Sequence, residues 1–164
     1  MKNFIQLITP LFMAMTLLVS NVVSANDNMD RYGKQKVVYH INVDDPKVQK
    51  SALGNIQNHI NAVGSENIEI RVVMHGNGLS LVLKPEALKD LPKFKAANAD
   101  DNMIQRIDYL KAQGVTFNVC ANTVKGRNVN IETQIYDASQ SDIVPSGVAE
   151  LSYLQGAGFT YVKP

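Results

Sequence analysis

The chain predicts a doubly wound α/β fold, with a mostly parallel five-stranded sheet and helices on both faces. Three observations carry that expectation. From Lys36 onward, short β-branched runs alternate with longer stretches of helical periodicity; glycine or proline punctuates most of the changes; and no repeat or low-complexity tract interrupts the order.

Lys36-Val37-Val38-Tyr39-His40-Ile41-Asn42-Val43 reads as the first strand. Asp45-Pro46 then supplies a cap and a proline at the first helical position, and Val48, Ala52, Ile56, Ile60 and Val63 recur at helical spacing until Gly64. Residues 68–74 form the second strand and end in His75-Gly76-Asn77-Gly78, a turn whose glycines allow positive φ and close approach. Leu79, Leu81 and Leu83 alternate as in a strand, but Pro85 and Pro92 break the run, so residues 79–97 are an extended or helical excursion. Met103, Ile104, Ile107 and Leu110 mark an amphipathic helix that stops at Gly114, before the strand Val115–Val119. The polar stretch Ala121–Ser141 is too long for a plain connection and holds a short helix near 132–135. Residues 142–145 make a fourth strand. Ser146 caps a helix with Val148, Leu151 and Leu154 as its buried stripe, and 159–162 is the fifth strand, completing a flavodoxin-like order of elements.

In an open α/β sheet the ligand site lies beyond the carboxyl ends of the strands. That rim gathers Asn42 and Asp44, His75 with Gly76 and Gly78, Cys120 with Asn122, and Pro145 with Ser146. Cys120 is the only cysteine, so it closes no internal disulfide; it is buried and inert, paired with another chain, or kept for reactivity. Its place at a strand end, with free N–H groups and Lys125 and Arg127 following, favours a stabilised thiolate. His75 either tunes that thiol or caps a backbone carbonyl. His40, inside a strand, reads as a core or interface residue, and His59 as surface or half-buried.

Other chemistry finds less support. One cysteine and three scattered histidines do not make a zinc site, and Cys120 with His75 and Met74 offers only a weak copper set; no metal or cofactor is expected. His75–Gly78 completes neither a Walker A loop nor G-x-G-x-x-G, and no G-x-S-x-G elbow occurs. Asp44-Asp45 and Asp100-Asp101 are explained by helix capping.

Residues 1–25 have the form of a cleavable signal peptide: Lys2, an apolar stretch from Phe4 to Val19, no acidic residue, and Val23-Ser24-Ala25 as the cleavage site. The stretch is broken by Gln6, Thr9 and Pro10, which favours cleavage over anchoring, and the expected location is periplasmic or secreted, with no membrane association after cleavage. A polar tail at 26–35 precedes one domain at 36–164. Of 16 basic side chains Lys2 leaves with the leader, and the rest face 15 acidic ones; a neutral mature chain lacks the footprint of a nucleic-acid binder.

Three blocks together carry a family resemblance: His75-Gly76-Asn77-Gly78-Leu79; Phe117-Asn118-Val119-Cys120-Ala121-Asn122-Thr123; and Asp142-Ile143-Val144-Pro145-Ser146-Gly147-Val148-Ala149-Glu150-Leu151, followed by Gln155, Gly158, Tyr161 and Lys163-Pro164. They resemble the DsrE/DsrF-like family, in particular its exported single-domain members, over roughly 36–164. Asn77 departs from the commoner Gly-Pro-Gly turn but keeps both glycines. The resemblance implies a flavodoxin-like fold, assembly into homotrimers or hexamers, and a cysteine, here Cys120, that carries sulfur as a persulfide. It thus implies a sulfur carrier or sulfurtransferase whose partners are a sulfur donor or acceptor protein, or a small sulfur compound, with a link to sulfur-compound metabolism. The alternative is a non-catalytic oligomeric module in which the rim binds a small ligand or partner and the thiol is incidental.

Overall fold

The computed structural model describes residues 31–164, so the expected signal peptide and the first half of the polar tail lie outside the described residues. Five strands form one sheet: β1 Gln35–Ile41, β2 Ile68–Met74, β3 Thr116–Cys120, β4 Ile143–Val144 and β5 Thr160–Val162. All pairings are parallel, and the order is β4-β3-β2-β1-β5. As in the flavodoxin order, a single strand lies on the far side of β1, but here it is the last strand and not the second. Right-handed crossovers therefore stack the first connections on one face, and the return from β4 to β5 covers the other.

The first helix, α1 (Pro46–Val63), starts as its sequence requires: the Asp45 carboxylate accepts from the Lys47 and Val48 N–H groups and Pro46 occupies the first turn. It and α2 (Asp101–Ala112) bury Leu53, Ile56, Ile107 and Leu110 against Val37, Tyr39, Ile41, Val72, Met74, Phe117 and Val119. On the opposite face α5 (Gly147–Gly156) sets Leu151 and Leu154 over Val38 and Val73, with Phe159 beside them. This second face is thinly covered, and its strand positions also carry His40, Asn118 and Cys120, the alternate residues of the pleat.

Several expectations are narrowed or changed in detail. Of the two forms expected for residues 79–97 the helical one is found: two 3₁₀ segments, Gly76–Val82 and Pro85–Asp90, with Leu79, Leu81 and Leu83 completely buried, and Leu83, just after the first segment, makes only an isolated bridge to Ile135. The long polar connection contains the expected short helix, as α4 (Ile131–Gln134), but also α3 (Ala121–Gly126), directly after Cys120. Val148 is 65% exposed, because the buried positions of α5 are Gly147, Leu151 and Leu154, spaced four and three residues apart. Val48 is likewise exposed, and Gln49 takes the buried place in α1.

Candidate functional site

Cys120 ends β3 and stands at the N-cap position of α3. Its backbone is extended, φ −73° and ψ 114°, which turns the side chain back over the first N–H groups of the helix that follows. The residue is 4% exposed. Burial pushes the thiol pKa up, but the Gly147 N–H, the Thr123 hydroxyl and the Thr123 and Asn122 N–H groups together pull it down further, and the thiol sits below its ordinary range. The neutral sulfur makes no cap bond of full hydrogen-bond geometry, so these donors act chiefly on the charged form.

Thr123 is the residue that the sequence reading left out of the site. Its Oγ1 accepts the Gly76 N–H at 2.9 Å, which occupies an oxygen lone pair and leaves the hydroxyl proton to be donated to Cys120. The two glycines of the turn thus serve distinct ends. Gly76 has φ +56° and aims its N–H at Thr123; Gly78 lies so close to the Ile41 carbonyl that a Cβ there would be 1.9 Å from the oxygen.

His75 and Cys120 are neighbours across Gly147. A Cβ at 147 would lie 2.9 Å from the His75 Cβ and 3.3 Å from the Cys120 Cβ, so only glycine lets the start of α5 settle between them. His75 makes no hydrogen bond to the sulfur, and its side chain does not cap a carbonyl. Its Nε2 meets the Nε2 of His40 at 2.7 Å, the rings stack at 4.7 Å, and the Nδ1 of His40 meets the Tyr161 hydroxyl at 2.7 Å. Asn122 is exposed and contributes its N–H, while Ser146 caps α5 by accepting from the Ala149 N–H.

The expected cationic contribution falls elsewhere. Arg127 donates to Asn77 Oδ1 at 2.8 Å and to the Lys93 carbonyl and lies over the Phe94 ring, clamping the glycine turn to the 93–94 segment, and Lys125 is exposed. The thiolate is favoured by backbone and hydroxyl dipoles instead. Met74 packs in the main core, on the other face from Cys120, so the weak copper set is not brought together. Among the described residues no group of three His, Cys, Asp or Glu side chains converges as a metal site.

A family model described as the DsrE/DsrF-like family matches residues 36–164. The chain belongs to the DsrE/DsrF-like family. No protein of curated function matches it. Among solved structures it is similar to MTH1491 of Methanobacterium thermoautotrophicum, a protein of unknown function, with 23% identity and a TM-score of 0.63 over 80% of this chain and 100% of that one. It is also similar to the YchN protein of E. coli, with 16% identity and a TM-score of 0.56 over 79% of this chain and 99% of YchN. These two likenesses concern the fold.

In this DsrE-like chain the histidine pair has a pH consequence. Burial lowers His40 to about 4, with help from the charges of His75 and Lys163, and burial and Lys163 lower His75. An Nε2–Nε2 contact holds one proton between two rings, so the pair resists full protonation. Unfolded histidine binds its proton near 6.5, while folded His40 waits until about 4, so acid favours the unfolded chain and stability drops across that window. Urea midpoints measured from neutral pH down to about 4 should fall, and His40→Asn should flatten the slope; an unchanged slope in the variant would show the pair to be irrelevant.

Proposed function

We propose that this DsrE/DsrF-like protein binds or transfers sulfane sulfur through Cys120, as an exported sulfur carrier or sulfurtransferase. The observation that supports this reading most is the ring of donors around a lone thiol: Gly147 N–H, Thr123 hydroxyl, and Thr123 and Asn122 N–H outweigh burial and favour the thiolate. A thiolate attacks the outer sulfur of a persulfide or hydropolysulfide; a new S–S bond forms to Cys120, the donor's S–S bond breaks, and the shorter thiolate leaves with the electron pair. No external oxidant is needed, since one disulfide-type bond replaces another. The same donors suit the persulfide anion that results. The 4% exposure of Cys120 favours small donors such as hydropolysulfide over bulky ones.

With no second cysteine in the chain, the bound sulfur is not expelled as an internal disulfide. Secretion through residues 1–25 and assembly as a trimer or hexamer belong to the same proposal. Native mass spectrometry of protein recovered from its own compartment tests all three together: the chain should begin at or near Asn26, the complex should contain a multiple of three copies, and Cys120 should carry one added sulfur after polysulfide treatment. Protein that takes up no sulfur on Cys120 would leave the rim as a ligand- or partner-binding module, a reading that the burial of Cys120 favours.

A further inference from the structure

The last strand, β5, lies beside β1 and parallel to it, so the carboxyl ends of these two strands stand side by side. A cavity of about 170 Å³ lies there, beyond the carboxyl ends of both strands. Its walls are mostly aliphatic: Ile41 from the end of β1, Val43 from the loop after it, and Val48 and Ala52 from α1. Val43 and Val48 are each 39% exposed. Both face this concavity.

The wall is held rigid from below by a buried polar network. Gln49 is fully buried; its Nε2 donates to the Val43 carbonyl at 2.7 Å and to Ser80 Oγ at 2.8 Å, and its Oε1 accepts from Asn98 Nδ2 at 2.8 Å. Asn98 Nδ2 also donates to the Asp44 carbonyl at 2.9 Å, so the segment from β1 to α1 is fixed at two consecutive carbonyls. An apolar residue at 49 would leave the Val43 carbonyl, Ser80 and Asn98 short of a partner, and the satisfied network in its place specifies the shape of the loop above it.

The charges at the mouth are asymmetric. Lys163 lines the cavity and has no carboxylate within ion-pair distance among the described residues. Asp45, the one acidic lining residue, directs Oδ1 at the Lys47 and Val48 N–H groups, where the positive end of α1 offsets its charge. His40, also lining, has both ring nitrogens occupied by His75 and Tyr161.

We infer that this crevice is a binding site for a short-chain aliphatic carboxylate, its branched apolar body against Val43, Val48 and Ala52 and its carboxylate at Lys163. About 170 Å³ is the room of about five or six waters at ~30 Å³ each, which suits a four- or five-carbon body. The site is separate from Cys120 and does not depend on sulfur chemistry there.

Isovalerate is the probe, titrated into the full-length processed protein while amide signals are followed by NMR. A ligand of this size should bind with a dissociation constant on the order of 1 mM. Signals of Val43, Val48 and Ala52 should move saturably; isoamyl alcohol, which keeps the body and loses the charge, and acetate, which keeps the charge and loses the body, should each bind about fivefold or more weakly. Lys163→Gln, at an exposed position, should weaken isovalerate by a similar factor and leave isoamyl alcohol unaffected, and Val48→Asp should abolish saturation. Cys120→Ser should bind isovalerate like the parent. No saturable shift up to about 30 mM isovalerate, equal affinity for the alcohol, or indifference to Lys163→Gln would each overturn the proposal.

Discussion

Thr123→Val should slow alkylation of Cys120 by iodoacetamide about threefold below the thiol pKa and displace the pH midpoint of the reaction upward by about one unit. The hydroxyl proton is one of four donors near the sulfur, and valine keeps the volume while deleting it. A lost hydrogen bond to a charged group of about 1.4 kcal/mol raises the pKa by about one unit and cuts the thiolate fraction about tenfold. The more basic thiolate is a better nucleophile by about threefold, which leaves the smaller net change. Because the sign of the native shift is downward, the parent midpoint should lie below that of a free-cysteine peptide. Cys120→Ser removes the reaction altogether. His75→Ala should move the midpoint less than Thr123→Val, since His75 makes no bond to the sulfur, and Lys125→Gln should not move it. A parent midpoint at or above that of the peptide, or labelling only after unfolding, would end the sulfur-transfer proposal.

Gly78→Ala should be the most destabilising single substitution near the site. The added methyl would lie 1.9 Å from the Ile41 oxygen, 2.4 Å from its carbon and 2.8 Å from the Asn42 Cα, all backbone atoms of a strand end that cannot swing aside as a side chain does. Gly78 also donates its N–H to the His75 carbonyl at 3.0 Å, so moving it drags the turn that holds Gly76 and Thr123. The loss should be about 3 kcal/mol or more, or about 10 °C in Tm for a domain of this size. Gly76→Ala meets no atom within 4 Å and is strained only by its φ of +56°, so it should cost about 1 kcal/mol. Thermal melts of the two variants would decide it: equal losses would mean that the close approach at Gly78 relaxes freely.

Much of the architecture was legible because local chemistry and tertiary demand agree. Asp45-Pro46 starts α1, Gly64 ends it at φ +92°, and the β-branched runs are the central strands. The readings that stayed open or failed are those where a residue's neighbours come from far along the chain. Leu79, Leu81 and Leu83 alternate like a strand, yet they fill the core from 3₁₀ turns because the sheet has no place for them beside β2. Val48 and Gln49 exchange roles because Ser80 and Asn98 await the amide, 31 and 49 residues away.

The sequence by itself determined the order of the strands along the chain, the residues at their carboxyl ends and the identity of the one thiol, since periodicity, caps and composition are local properties. What surrounds that thiol was decided only by the tertiary structure. The cations close to Cys120 along the chain turned out to serve a clamp or to stand exposed, and the donors that act on it belong to a helix start, a hydroxyl set by Gly76 and the N–H of Gly147, brought in from β4 and α5. The pairing of His40 with His75 and Tyr161 likewise exists because β1, β2 and β5 lie side by side in a parallel sheet. Sheet order and the close approach allowed by Gly147 are packing outcomes of the whole chain, and no window of sequence contains them.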